Sequence, residues 1–264
     1  MAGRGEEEMR LLFIRHGDPD YANDTLTEKG RREAALLAER AADLGLGSCY
    51  VSPLGRAQDT AAYSMDKLGL TARTLEWLKE FPAQIDLNER PEFRRAYPNA
   101  RVENGRYVPR IVWDVVPSYW SEHEKCMEAD GWRDCDICRS SDTAAVYDHV
   151  TGEFDRLLAA HGYVRDGRCY RVEKESKETL TFFCHFGITC VFLSHLWGLS
   201  PFLMWHSLAL APTSVTEVVT EERQQGIACF RGLKIGDVSH LVLGREAVSK
   251  AARFCEVYSD EDRH

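Results

Sequence analysis

The chain alternates short, fully apolar runs with stretches whose apolar residues recur every three or four positions. Leu11 to Ile14 is a compact apolar run that breaks at Arg15-His16-Gly17, the pattern of a buried parallel strand ending in a loop. Thr27 is placed to cap a helix with Ala34, Leu37, Ala41 and Leu44 on its inner face and Gly45 as its stop. Cys49 to Ser52 predicts a second strand closed by Pro53, and a helix follows through Ala57, Ala61 and Met65. Thr71 to Leu78 reads as a third strand with its exit. Thr179 to Cys184 is strongly apolar and β-prone, and Ile188 to Trp197 continues as helix. Thr213 to Thr220 and Gly226 to Arg231 read as closing strands. Repeated strand–helix alternation predicts an α/β fold with a mainly parallel central sheet.

The rhythm fails between about Leu87 and Ser140, where Arg, Trp, Tyr and Pro are frequent and periodicity is weak. So long an irregular stretch predicts an inserted cap over 87–140, with some helix of its own, inside a single domain spanning 1–264. A helix resumes near Asp142, carries Val146, Val150, Leu157 and Leu158 inward and stops at Gly162; Asp166-Gly167 then marks a turn before a short strand. The insertion carries Arg94, Arg95, Arg101, Arg106 and Arg110 against Glu103 alone over Phe93 to Ile111. Two readings stand level: a lid that recruits an anionic substrate, or a solvated face paired with acidic neighbours. Trp113, Tyr119, Trp120 and Trp132 fit a small core for the insertion better than a surface for a substrate ring. His123-x-x-Cys126 and Cys135-x-x-Cys138 have zinc-like spacing, yet the loop between the pairs is short. No metal and no cofactor is expected, and these four residues are the weak exception.

Composition narrows the partners. The net charge of −9 speaks against nucleic acid, which demands a basic surface, but not against a small anion in a local pocket of opposite sign. No apolar run reaches spanning length, the longest being Ile188 to Leu193, so no membrane partner is expected. The N-terminal residues have no apolar leader, and nine cysteines show no disulfide framework; both suit a reducing cytoplasm. Nothing in the chain bears on oligomeric state.

Four local signals fall where strands of such a sheet end: Arg15-His16-Gly17, Ser52-Pro53-Leu54-Gly55-Arg56-Ala57 with Thr60 beyond, Glu80, and Cys184-His185-Phe186-Gly187. Open α/β sheets bind ligands beyond the carboxyl ends of their strands. Two histidines and two arginines delivered to that edge suit a dianionic phosphoryl group. Asp18-Pro19-Asp20 is also good turn chemistry, and Glu80 also fits a helix cap.

Leu12-Phe13-Ile14-Arg15-His16-Gly17, Leu26-Thr27-Glu28-Lys29-Gly30, the Ser52 to Ala57 motif, His185 and Pro212-Thr213-Ser214-Val215 occur in an order that resembles the histidine phosphatase superfamily, in its phosphoglycerate-mutase-like branch. The resemblance implies a three-layer α/β sandwich with the insertion lying outside it. It implies that His16 is the nucleophile, its tautomer set by the carbonyl of Gly17. Arg15, Arg56, His185, Gly17, Asn23 and the Phe186 N–H would hold phosphoryl oxygens, and Glu80 would be the general acid. Asp18 and Tyr21 would contact substrate. The other branch carries an Asp directly after the second histidine; Phe186 stands there in this chain. The implied activity is metal-independent hydrolysis of a small phosphorylated metabolite. The rival readings are phosphoryl transfer of the phosphoglycerate mutase type and an idle binding module on the same fold.

Overall fold

The computed structural model of the chain describes residues 8–251 and 257–259. The N-terminal stretch expected to lack a leader, residues 1–7, lies outside them. The chain forms two compact units. The first takes in the described residues of Met1–Glu80, Leu158–Thr189 and Ala209–His264; the second takes in Phe81–Leu157 and Cys190–Leu208.

The first unit is built on one eight-stranded sheet. Its strands are β1 (Arg10–Arg15), β2 (Ser48–Val51), β3 (Ala72–Thr74), β4 (Tyr163–Asp166), β5 (Cys169–Val172), β6 (Thr179–Cys184), β7 (Val215–Gln224) and β8 (Ile227–Asp237). They lie in the order β4-β5-β8-β7-β1-β6-β2-β3. β1, β6, β2 and β3 run parallel, and the other four extend the sheet as antiparallel hairpins.

Burial explains these elements. β1 and β6 are buried almost throughout, so both faces of each must be apolar, as the unbroken runs predict. Leu12, Ile14, Val51 and Phe183 on one face pack with Leu37 of helix α1 (Glu28–Glu39) and with Ala57, Ala61 and Met65 of helix α2 (Gly55–Leu68). On alternate positions Phe13 stacks on Phe182 at 5.2 Å, and Phe182 on Tyr50 at 5.4 Å. Each such side chain taken fully from water contributes about 1.5–3 kcal/mol.

Several boundaries differ from the sequence reading. The expected first helix is interrupted at Arg40, and Ala41–Leu44 forms a separate turn before Gly45. The third strand is only Ala72–Thr74, after which Glu76–Leu78 is a 3-10 turn. β7 and β8 run further than expected because they pair with each other along most of their length. β4 and the helix Pro201–Ser207 had no clear signal.

The expected insertion, 87–140, falls inside the second unit, whose limits are wider. This unit has its own aromatic core: Trp132 lies against Tyr147 at 4.8 Å and Phe202 at 6.4 Å, and Phe154 stacks on Phe192 at 4.6 Å. Most of its arginine run is paired: Arg95 with Glu122, Arg101 with Glu103 and Arg110 with Asp114. Arg94 lies over the Tyr107 ring at 4.8 Å. The run is therefore a paired surface, the second of the two readings, because Glu122 and Asp114 lie outside the window that made it look unopposed. No helix among the described residues is long and apolar enough to cross a membrane.

Candidate active site

Strand register brings the two histidines together. β1 and β6 pair in parallel with Arg15 opposite Cys184, so His16 and His185 leave neighbouring strands at the same level. The His16 N–H donates to the Cys184 carbonyl at 3.0 Å, and the two imidazoles lie 5.1 Å apart, tilted by 57°. Both are buried. Burial, reinforced for His16 by Arg15, drives the His16 pKa well below the ordinary imidazole value. Burial likewise leads in lowering His185, with Arg56 and Arg15 adding to it. Both rings are therefore neutral at physiological pH. Nδ1 of His16 lies 2.7 Å from the Gly17 carbonyl. A carbonyl only accepts, so Nδ1 carries the proton and Nε2 the lone pair.

Thr213 clamps this tip from the other side. Its N–H donates to the carbonyls of both Arg15 and His16, each at 3.1 Å. It holds φ 57°, a left-handed conformation that a β-branched residue rarely adopts and that costs about 1–3 kcal/mol. Its Oγ1 lies 2.9 Å from Nε2 of buried His240. In the sequence Thr213 stands out only within the Pro212-Thr213-Ser214-Val215 motif and the closing strand, and no local pattern announces a left-handed threonine.

The cations frame the histidines. Arg15 is buried and donates to the carbonyls of Leu210 and Ala251 and to the Tyr21 hydroxyl. Arg56, in the first turn of α2, donates through Nη1 to Asp24 at 2.5 Å, and the Tyr21 ring lies 5.4 Å from its guanidinium. Nε2 of His185 lies 2.7 Å from the Ser52 hydroxyl, which accepts from the Leu54 N–H. Three buried polar atoms here have no hydrogen-bond partner: Nε of Arg15, Nε of Arg56 and Nδ1 of His185. Buried polar groups left bare are rare and ask for a ligand.

Glu80 follows the 3-10 turn rather than a strand exit. Its Oε1 accepts the Ile188 N–H at 3.0 Å, in the first turn of the helix Phe186–Trp197, and its charge acts on Arg15. Phe186 opens that helix and is buried.

The loop after His16 is tied into the fold by its own hydrogen bonds. The Gly17 N–H donates to Thr60 Oγ1 at 2.9 Å, so that donor is already committed. Asp18 latches this loop to helix α1. Its N–H donates to Glu33 at 2.8 Å, its carbonyl accepts the Thr27 N–H at 3.0 Å, and its carboxylate accepts from Thr27 and Ser249. Asn23 is exposed and bonds Asp20 at 2.8 Å within a turn. The carboxylate that does reach Arg56 is the next residue, Asp24, which sequence reasoning missed.

Among the described residues no group of three or more His, Cys, Asp or Glu side chains is arranged to hold a metal ion. Cys126 and Cys135 meet as a hydrogen-bonded thiol pair, but His123 stacks on Tyr119 at 4.1 Å and bonds its carbonyl at 2.6 Å. His123 and Tyr119 line a hollow of about 280 Å³ with Glu92, Phe93, Arg95 and Arg139.

Residues 11–109 match the family model of the histidine phosphatase superfamily, branch 1. The chain resembles that superfamily in sequence and in fold. The resemblance read from the motifs is thus borne out. The probable phosphoglycerate mutase GpmB of Yersinia pestis (strain Pestoides F) is 33% identical over 92 residues, a stretch covering 31% of this chain and 42% of that relative. The chain therefore spans less than half the length of the curated relatives it matches. Among solved structures, a mycobacterial hydrolase superposes with a TM-score of 0.56 at 17% identity, covering 88% of this chain and 99% of its own. A mutant phosphoserine phosphatase from Entamoeba histolytica, in complex with phosphoserine, gives 0.55 at 16% identity over 88% and 99%. The mycobacterial glucosyl-3-phosphoglycerate phosphatase gives 0.52 at 18% identity over 86% and 97%. These likenesses concern the fold: the phosphoglycerate-mutase-like α/β arrangement around a central sheet.

Proposed function

We propose that this chain is a phosphatase that hydrolyses a small phosphomonoester through a phosphohistidine on His16. The observation that carries the reading is the pairing of two neutral, buried imidazoles 5.1 Å apart with the unpartnered Nε atoms of Arg15 and Arg56. Nε2 of His16 holds a lone pair and attacks phosphorus in line with the leaving oxygen. The N–P bond forms as the P–O bond breaks, and Glu80 gives its proton to the departing oxygen. Arg15, Arg56 and Nδ1–H of His185 hold the equatorial oxygens, with the Ser52 hydroxyl donating to Nε2 of His185. Positioning and charge stabilisation supply most of the catalysis in such transfers. Water then attacks the phosphohistidine, Glu80 takes its proton, and inorganic phosphate leaves with His16 neutral again.

A second reading, phosphoryl transfer back to substrate as in a mutase, draws on the 33% identity to a probable phosphoglycerate mutase. Solved relatives in complex with phosphoserine and with 3-phosphoglyceric acid make small phosphorylated metabolites the substrates to screen.

The test uses p-nitrophenyl phosphate. Hydrolysis releases inorganic phosphate and leaves a transient acid-labile label on the protein. His16→Ala abolishes both. Label without phosphate release favours the mutase, and turnover surviving in His16→Ala defeats the nucleophile assignment.

A further inference from the structure

The scheme above gives no task to one carboxylate that touches the anion-holding residues. Asp24 sets Oδ1 2.5 Å from Nη1 of Arg56 and accepts the Gly55 N–H on Oδ2 at 2.7 Å. Its backbone is left-handed, at φ 49°. Its carbonyl lies 2.1 Å from where a Cβ on Gly55 would stand, so only glycine lets the loop come this close to α2. Asp24 is thus fixed at main chain and side chain. Its side chain is nevertheless 41% exposed, against 11% for Arg56. A fixed negative charge therefore reaches solvent beside the arginine.

We propose that Asp24 is a specificity-determining residue that selects phosphomonoesters with no second anionic group near the phosphate. The inference rests on the reading that Arg15 and Arg56 hold the phosphoryl group. Nε of Arg56 is buried and unpartnered, so that edge takes a phosphoryl oxygen while Nη1 stays with Asp24. Within the set Arg15, Arg56 and Asp24, the two positive charges are outnumbered once a dianionic phosphoryl group joins the Asp24 carboxylate. The phosphoryl group draws on direct contacts with the arginines. A carboxylate one or two carbons away finds no unpaired cation in this set and meets the open side of Asp24. Like charges a few ångströms apart at a partly solvated rim cost roughly tenfold in affinity.

The experiment compares glycerol 2-phosphate, whose remaining groups are uncharged, with 3-phosphoglycerate, which adds a carboxylate. The readout is the ratio of their kcat/KM values in the wild-type protein, in Asp24→Asn and in Asp24→Glu. Both substrates share the phosphate, so any loss in phosphoryl holding cancels. Asn keeps an acceptor for Gly55 and tolerates the left-handed backbone; Glu keeps the charge. We expect the wild type to prefer glycerol 2-phosphate, Asn to cut that preference at least about fivefold, and Glu to retain it. The same two ligands are titrated by calorimetry in a His16→Ala background, where dissociation constants are read without turnover. Phosphate release with a ratio unmoved by Asp24→Asn overturns the role of Asp24 and leaves the phosphatase reading standing. A shifted ratio of dissociation constants without phosphate release does the reverse.

Discussion

In the proposed mechanism, burial is what leaves His16 free to act as a nucleophile beside His185. An exposed imidazole is partly protonated near neutrality, and a protonated ring cannot attack phosphorus. Here burial is the leading cause that keeps both rings neutral, with Arg15 adding to it at His16. In the same proposal Glu80 has the opposite task, since it would carry a proton to a leaving oxygen. Its demand grows with the basicity of the leaving group. Glu80→Gln therefore slows an alkyl phosphate by about two orders of magnitude or more and p-nitrophenyl phosphate far less. Equal losses for the two substrates, measured as kcat, would remove Glu80 as the acid.

Elements hold these residues in place. Helix α1 is docked on the loop after His16 by Thr27, Gly30 and Glu33. A Cβ on Gly30 would stand 2.3 Å from the Asp18 carbonyl. Glu33 is fully buried and takes the Asp18 N–H, with Lys29 3.5 Å away. Burial raises its carboxyl from 4.5 to about 7, against the lowering pull of the Asp18 N–H and Lys29. The consequence for stability has a definite sign. Between about pH 4.5 and 7 the unfolded chain releases this proton while the folded chain retains it, so stability falls as pH rises and stays lowered above 7. Glutamine is neutral throughout and keeps an acceptor for Asp18. Thermal unfolding should show Glu33→Gln gaining on the wild type from pH 5 to pH 8. A difference that stays flat across that range would mean Glu33 titrates at its ordinary value. The docking itself was only half legible: the Thr27 cap and Gly30 stand out in the sequence, whereas nothing local marks Glu33 as buried.

At the scale of the molecule, charge and site have opposite signs. On the proposed function, the net charge of −9 would repel an approaching dianionic substrate, while Arg15 and Arg56 would attract it at close range. Salt screens the long-range part first, because buried pairs are screened less. Raising ionic strength from about 0.01 to 0.15 M should increase kcat/KM for a dianionic substrate severalfold, read under steady-state conditions at fixed pH. A fall would mean that attraction at the site reaches beyond the surface field. What the chain determined alone were its strands and the chemistry at their ends. The run from Leu11 to Ile14 is apolar at every position, and the run from Thr179 to Cys184 carries no charge and only threonine among its apolar residues, as a strand buried on both faces requires. Arg15, His16, Arg56 and His185 therefore stood out as polar residues placed where such strands stop. Tertiary structure decided which partners they meet. Asp24 and Arg56 are separated by 32 positions, Glu33 and Asp18 face each other only once α1 docks, and Thr213 turns left-handed only against the tip of β1. Those contacts follow from register and close approach, which no local pattern of side chains encodes.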